Sequence, residues 1–126
     1  MFGGKQNDTG WDVAVDGAGN AYVCGATSSH NFPTNNTFDF LRSTNTGKSD
    51  AFVAVFDTNA ASVFSGYLGG NGDDFAYALA LDSATNIYVV GRTLSGTFPV
   101  VAPTNQVPLQ IKRFGPSDAF LTIISP

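Results

Sequence analysis

Short segments in which apolar residues alternate with small or polar ones recur along the chain, separated by turns rich in Gly, Asp and Asn. The first covers residues 11–15, and after a five-residue turn at 16–20 a second covers 21–27. A period of two is typical of β-strands, and Asp and Asn at the ends of a turn can hydrogen-bond to their own backbone. Further strands are predicted at 51–56 and 62–68. The pattern predicts a meander of four antiparallel strands.

The same series of elements occurs twice. At an offset of 66 residues, eight of the fourteen positions from 14 to 27 hold identical residues in both copies, Tyr22 and Tyr88 among them. At an offset of 68, residues 49–52 and 117–120 share the sequence Ser-Asp-Ala-Phe. Repeats of this length indicate structural units that bury their faces only against neighbouring units.

An all-β fold is therefore expected, built from two four-stranded antiparallel meanders that form blades of a β-propeller. The first repeat is assigned to residues 1–67 and the second to 68–126, with strands at 87–93 and 119–124 but without its last strand. Within this repeat, Tyr22 and Tyr88 are expected at equivalent places in the two blades.

Composition supports this fold and excludes some functions. All ten acidic residues are Asp, and the chain has fourteen Gly and eleven Phe, which favours strands and tight turns over helices. A net charge of −4 argues against nucleic-acid binding, because such proteins bind phosphates with a basic face. No apolar stretch is long enough to cross a bilayer and no signal-peptide pattern opens the chain, so no membrane insertion is expected.

Several motifs of the second copy form a combined pattern. Residues 68–74 are Leu-Gly-Gly-Asn-Gly-Asp-Asp, residues 86–91 are Asn-Ile-Tyr-Val-Val-Gly, and Phe98-Pro99 and Ser-Asp-Ala-Phe at 117–120 follow. In these motifs the chain resembles the bacterial β-propeller repeat family abbreviated SBBP, over nearly its whole length. The first copy departs from the family pattern at residues 5–7, where Gly-Asp would be expected.

This resemblance implies a closed ring of blades in secreted or surface proteins, and hence an extracellular or cell-surface localisation. Two blades cannot close a ring, because propellers have about four to eight. The expected partners are therefore further propeller blades, either in the same longer chain or supplied by self-association.

Two acidic residues are weak candidates for a metal site. Asp73 and Asp74 lie in Gly-Gly-Asn-Gly-Asp-Asp-Phe, which fits the Gly and Asp positions of a calcium-binding nonapeptide. That site needs tandem nonapeptides, whereas the next copy here is 66 residues away and lacks the pattern. We expect a turn held by its own backbone, with no metal and no cofactor.

Catalytic motifs are also missing from the sequence. His30 is the only histidine, and it lies in a long polar segment. The chain has no GxSxG, HExxH or GxxxxGK[ST] motif. The single cysteine, Cys24, aligns with Val90 inside a predicted strand, which favours a buried apolar role. No catalytic residues are predicted, and the protein is not expected to be an enzyme.

Two long segments, residues 28–49 and 94–117, are the candidates for ligand binding. The binding residues predicted in the first of them are His30, Asn31, Phe38, Phe40 and Arg42. The alternative is that the apolar residues of these segments clamp them onto the blades. The function predicted is a non-enzymatic structural or interaction module that is part of the β-propeller of an extracellular or cell-surface bacterial protein, and a protein or carbohydrate ligand is a candidate partner. The alternative is a lectin-like propeller with sugar pockets between blades.

Overall fold

A computed structural model describes residues 1–35, 41–100 and 113–125 of the chain. Every regular element in these ranges is a β-strand. In chain order the strands are β1 Asp8–Val15, β2 Ala21–Thr27, β3 Asp50–Phe56, β4 Ser62–Leu68, β5 Asp74–Leu81, β6 Ile87–Thr93 and β7 Asp118–Ile124. None of the described residues forms a helix long and apolar enough to cross a membrane.

The strands form two separate antiparallel sheets. The first has the order β1-β2-β3-β4 and the second the order β5-β6-β7. This arrangement confirms the predicted all-β fold of one four-stranded meander followed by a three-stranded one.

Three strands begin earlier than the alternation of side chains predicts. β1 begins at Asp8 and β3 at Asp50, and both residues lie opposite Thr27 in β2. In the second sheet β7 begins at Asp118, opposite Thr93 in β6. These polar first residues extend the hydrogen-bonded ladder without adding to the apolar pattern that marks a strand in sequence.

The sequence repeat is also a structural repeat. Tyr22 lies opposite Ala14 and Tyr88 opposite Ala80, as expected for equivalent positions. Both hairpins contain a bulge at the same place, at Trp11 between Gly10 and Asp12 and at Tyr77 between Ala76 and Ala78. The prediction of equivalent tyrosines is confirmed.

A glycine is required beside each bulge. A Cβ atom on Gly25 would lie 1.9 Å from the carbonyl oxygen of Thr9, and one on Gly91 would lie 2.0 Å from that of Phe75. No side chain fits at such separations, so this repeated Gly is fixed by the close approach of two strands.

The main apolar core lies between the two sheets. One face of the first sheet contributes Cys24, Val53 and Val55, and the second sheet contributes Ile87 and Val89, all fully or almost fully buried. Side chains alternate along each strand, so a second cluster forms on the opposite face of the first sheet. Its buried members are Phe32, Phe52, Ala54 and Tyr67.

Candidate functional site

The Gly-Asp turn that precedes β5 is held by a buried carboxylate. Oδ2 of Asp74 accepts hydrogen bonds from the Gly70 amide at 2.8 Å and from the Ser95 hydroxyl at 2.6 Å. The Ser95 hydroxyl oxygen in turn accepts one from the Gly72 amide at 2.8 Å. Asp74 therefore joins the turn to the segment that follows β6.

The first copy forms the same network although its turn sequence differs. Oδ2 of Asp8 accepts from the Gly4 amide at 2.7 Å and from the Ser29 hydroxyl at 3.1 Å. The Ser29 hydroxyl oxygen accepts from the Gln6 amide at 2.8 Å. The network needs backbone amides in the turn, so Lys5 and Gln6 can replace Asn71 and Gly72 without disrupting it.

A second repeated carboxylate organises the hairpin turns. Asp16 accepts hydrogen bonds from the Asn20 amide and side chain at 2.9 and 2.8 Å, and from the Tyr22 hydroxyl at 3.1 Å. The Asn20 side chain is the main cause of a lowered Asp16 pKa, and burial is the main cause of a raised Tyr22 pKa. The residues that repeat these contacts in the second copy are Asp82, Asn86 and Tyr88.

A third set of contacts connects the two sheets. Oδ1 of Asp73 accepts hydrogen bonds from the amides of Lys48 at 3.0 Å and Ser49 at 3.1 Å. The Asp74 amide donates to the Ser49 carbonyl oxygen at 2.8 Å. The residues predicted as weak metal candidates therefore hold backbone amides of the turn and of the segment that precedes β3.

Arg42 lies at the same junction. Its Nη2 atom is 3.3 Å from Oδ2 of Asp50 and donates to the Gly70 carbonyl oxygen at 2.9 Å. Burial raises the pKa of Asp50 to about 6, although the Thr46 amide and the Arg42 charge act in the opposite direction. Arg42 thus links the segment before β3 to the start of β3 through the ion pair, and to the connection between the sheets through Gly70.

An open cleft of about 500 Å³ lies beside this junction. Residues 46–48 of the first repeat and 71–73 of the second line it, together with Leu94. Lys48 and Asp73 are the charged residues of this lining, and Asp73 already accepts hydrogen bonds from the Lys48 and Ser49 amides.

The predicted binding residues are not all in one place. His30 and Asn31 are exposed, and Asn31 accepts a hydrogen bond from the Lys5 amide next to the N-terminal turn. Arg42 instead bonds to Asp50 and Gly70 at the junction between the sheets. Phe38 and Phe40 lie outside the described residues.

Cys24 occupies the core position expected from its alignment with Val90. Its side chain is fully buried, and its thiol donates weakly to the Ala76 carbonyl oxygen at 3.7 Å. Burial raises its pKa to about 12, so the thiol stays protonated at neutral pH. Among the residues that the structure describes, no three His, Cys, Asp or Glu side chains are placed to hold a metal ion together.

The two copies differ sharply in how one sheet face is covered. Cys24, Val53 and Val55 are 0%, 0% and 4% exposed because the second sheet packs on them. The residues at the same repeat positions of the second sheet, Val90, Leu121 and Ile123, are 44%, 61% and 52% exposed. Sequence alone did not predict this difference in exposure, since the two copies have similar apolar patterns. Which face is open depends on how the two sheets pack against each other.

The opposite face of the first sheet is also partly open. Val13 and Val15 on β1 are 59% and 63% exposed. Their repeat equivalents in the second sheet, Leu79 and Leu81, are partly buried against the core between the sheets. Each sheet therefore leaves one apolar face open, and the equivalent face of the other sheet is buried between the two sheets.

Both bulges place an aromatic ring at the sheet junction. The rings of Trp11 and Tyr77 are 5.2 Å apart between centroids, and Phe75 lies 6.0 Å from Trp11 and 6.3 Å from Tyr77. Trp11 is 42% and Tyr77 47% exposed. The sequence contained a signal for this cluster, since both positions are aromatic at the same point of the repeat.

Comparison with known proteins agrees with this repeated architecture. A search of curated proteins gave no match to the chain. A family model described as a β-propeller repeat, SBBP, matches residues 2–33 and 63–99. The first matched range includes the hairpin of β1 and β2, and the second includes that of β5 and β6. The two ranges together cover more than half of the chain, which therefore belongs to the SBBP family of β-propeller repeats and contains two of them.

Proposed function

We propose that this chain is a non-enzymatic structural and interaction module that contributes consecutive blades to the β-propeller of an extracellular or cell-surface protein. The observation that supports it best is the open apolar face at Val90, Leu121 and Ile123, whose repeat equivalents form the buried interface between the two blades. An exposed apolar face of this kind is suited to a further blade.

The repeated polar residues also support a structural role. Asp8, Asp16, Asp74 and Asp82 each accept hydrogen bonds that hold a turn of their own repeat. Side chains fixed by several such bonds serve to define the backbone of the blade. The extracellular setting rests on the family resemblance, and surface labelling of intact cells that express the natural protein tests it.

The experiment for this proposal measures whether the open apolar face associates with other apolar surfaces. We expect the chain to self-associate in light scattering after size exclusion, or to bind a hydrophobic dye. The variant Leu121→Asp should lose self-association and bind less dye, because it places a charge on this open face while Val13 and Val15 stay exposed on the other. Asn59→Asp adds the same charge on an exposed turn and should behave like the unmodified chain. A monomer that binds no dye and is unaffected by Leu121→Asp would refute the proposal.

Carbohydrate binding is a second candidate, favoured by the ring cluster of Trp11, Phe75 and Tyr77. The cluster joins two blades and leaves two large rings accessible, and aromatic rings are common contact groups in binding sites that also contain polar side chains. Because Trp11 is the only tryptophan, its fluorescence reports directly on ligands at this place. Saturable quenching by soluble oligosaccharides that Tyr77→Ala weakens would support the site. Unchanged fluorescence over an oligosaccharide panel would exclude it.

A further inference from the structure

We infer that the open face of the second blade binds the open face of the first blade of another copy of this chain, head to tail. We call Val90, Leu121 and Ile123 the tail face, and Val13, Val15 and Val23 the head face. The inference rests on the proposed function and adds to it the identity of the partner.

The tail face is equivalent in the repeat to a surface that is buried between the two blades of the chain. In the first blade, the residues at these repeat positions are Cys24, Val53 and Val55, which are buried under the second blade. The tail face has an aliphatic side chain at each of these positions, and each of the three is larger than its equivalent in the first blade. It can therefore cover the same kind of surface at these three positions. The buried Ala26 of the first blade is replaced by the exposed Arg92, which must lie at the edge of the contact with its charge in water.

The head face matches the surface that lies on the other side of the same interface. Leu79 and Leu81 of β5 pack against the core between the blades, together with the buried Val89 of β6. The residues at the equivalent positions of the first blade are Val13, Val15 and Val23. The chain therefore presents both halves of its internal interface again, one on each outer face.

Polar groups at the edge of the interface fix its register. Inside the chain, Asp73 accepts from the Ser49 amide, and the Asp74 amide donates to the Ser49 carbonyl oxygen. The repeat equivalents are Asn7, Asp8 and Ser117. The amide oxygen of an Asn side chain accepts hydrogen bonds as a carboxylate does. Asn7 and Asp8 of one copy are thus suited to bond the backbone of Ser117 in the next.

Two internal contacts have no counterpart between copies. The Lys48 amide that bonds Asp73 is replaced by Pro116, which has no amide proton, and Asp12, which accepts from the Leu79 amide at 2.8 Å, is replaced by Ala78. We therefore expect the contact between copies to be weaker than the contact between the blades of one chain, and to be reversible.

The aromatic cluster extends across the same contact. Within the chain, Trp11 of the first blade contacts the Tyr77 ring of the second. Tyr77 is the repeat equivalent of Trp11, so in the assembly it meets Trp11 of the next copy. The single tryptophan then becomes less exposed, and its emission should shift to shorter wavelength as copies associate.

The contact joins two different surfaces, so a pair of copies keeps one open head face and one open tail face. Such heterologous contacts form a ring where the rotation closes and a filament where it does not. Propellers close with about four to eight blades, so a ring would contain about two to four copies.

The experiment separates the two faces by blocking one at a time. Val13→Asp disables the head face and Leu121→Asp the tail face, at side chains that are exposed in the single chain. Each variant alone should be a monomer. An equimolar mixture should form a one-to-one complex of twice the 13.2 kDa chain mass, because one intact head and one intact tail remain. The emission of Trp11 should shift to shorter wavelength only in the mixture.

Other outcomes overturn the inference. A mixture that stays monomeric refutes head-to-tail pairing, and so does either single variant that dimerises with itself. If the unmodified chain associates while the mixture does not, the proposed function is still supported, because an open apolar face does associate. Only the assignment of the head face as the partner of the tail face is then wrong. If the unmodified chain neither associates nor binds dye, both fail. Circular dichroism checks that the variants are folded, and Val15→Asp with Ile123→Asp provides an independent pair.

Discussion

Single aspartates determine the local backbone of each blade. Asp74 is fully buried, yet its Oδ2 atom accepts from the Gly70 amide and the Ser95 hydroxyl. These donors replace the water that Oδ2 loses on folding, whereas Oδ1 is buried without a hydrogen-bond partner. The Gly-Asp turn is therefore held by hydrogen bonds from its own repeat.

Replacement of Asp74 by Ala should therefore destabilise the chain strongly. Hydrogen bonds to a charged group contribute about 1.5–3 kcal/mol each, and the Ser95 hydroxyl would be left buried without its acceptor, while the Gly70 amide keeps its bond to the Ser95 hydroxyl oxygen. We expect the free energy of unfolding to fall by about 3 kcal/mol in urea denaturation. Asp73→Ala provides the comparison, because Asp73 is only partly buried and should lose about 1 kcal/mol. Equal effects of the two substitutions would contradict the assigned roles.

Asp50 should make the stability depend on pH near neutrality. Its pKa is about 6 in the folded chain and 3.8 without burial, and the charged or titratable groups around it are Arg42, Tyr67 and Asp74. Between these values the folded state binds a proton that the unfolded state does not bind. Stability is therefore greater on the acid side and falls as the pH rises through 6.

The free energy of unfolding should rise by about 1 kcal/mol when the pH falls from about 7 to about 5. Urea denaturation at several pH values measures this, and the Leu121→Asp background removes any contribution from association. Asp50→Asn should abolish the rise. Asp16 does not interfere, because its pKa is lowered and it titrates below this window. A rise that persists in Asp50→Asn would assign the effect to another group.

At the level of elements, the bulged hairpin is the feature that both blades reproduce most closely. The bulge brings the Thr9 carbonyl oxygen over Gly25 and the Phe75 carbonyl oxygen over Gly91. The same bulge turns Trp11 and Tyr77 outward. One irregularity thus accounts for both the repeated Gly and the repeated aromatic position.

Substitution of either glycine by Ala should be equally harmful in the two blades. A Cβ at about 2 Å from a carbonyl oxygen forces the strands apart, so Gly25→Ala and Gly91→Ala should each reduce stability by about 3 kcal/mol. Gly17→Ala is the control, because no atom lies within 4 Å of the added Cβ. It should leave stability unchanged or raise it by about 0.5 kcal/mol. Tolerance of Gly25→Ala or Gly91→Ala in thermal unfolding would show that the bulge can relax.

The turn at 69–74 should not respond to calcium. Asp73 and Asp74 already accept hydrogen bonds from three backbone amides and one hydroxyl, and a calcium ion needs about six to eight oxygen ligands. We expect micromolar to millimolar calcium to leave the melting temperature unchanged in calorimetry. A rise of many degrees that Asp74→Ala abolishes would establish a metal site and reverse our expectation for this turn.

Elements were more predictable from sequence than the contacts between them. Alternation located β2 and β4 at their observed bounds, because a strand buries every second side chain. It did not predict that Arg42 pairs with Asp50 beside Gly70, since this contact joins a segment before β3 to the connection between blades. Contacts of this kind depend on how two repeats pack, which the pattern within one repeat does not contain.

At the scale of the whole molecule, the two blades are alike in sequence but not in surroundings. The face of the first blade around Val53 is interior, and the equivalent face around Leu121 is exterior. A repeat array gains stability from each interface between neighbours. The open faces form no such interface in the single chain, so covering them should add stability.

A matched pair of truncations should separate folding from association. Val53→Ala removes buried methyl groups between the blades and should reduce the free energy of unfolding by about 2 kcal/mol at every protein concentration. Leu121→Ala acts at the same repeat position on an exposed surface, so at high dilution it should leave the free energy of unfolding of the single chain nearly unchanged. At high concentration the unmodified chain should gain thermal stability through association, and Leu121→Ala should reduce that gain. Calorimetry over a range of concentrations measures both quantities. A large loss for Leu121→Ala at high dilution would mean that the face is already buried within one chain, and the assignment of an open blade would then be wrong.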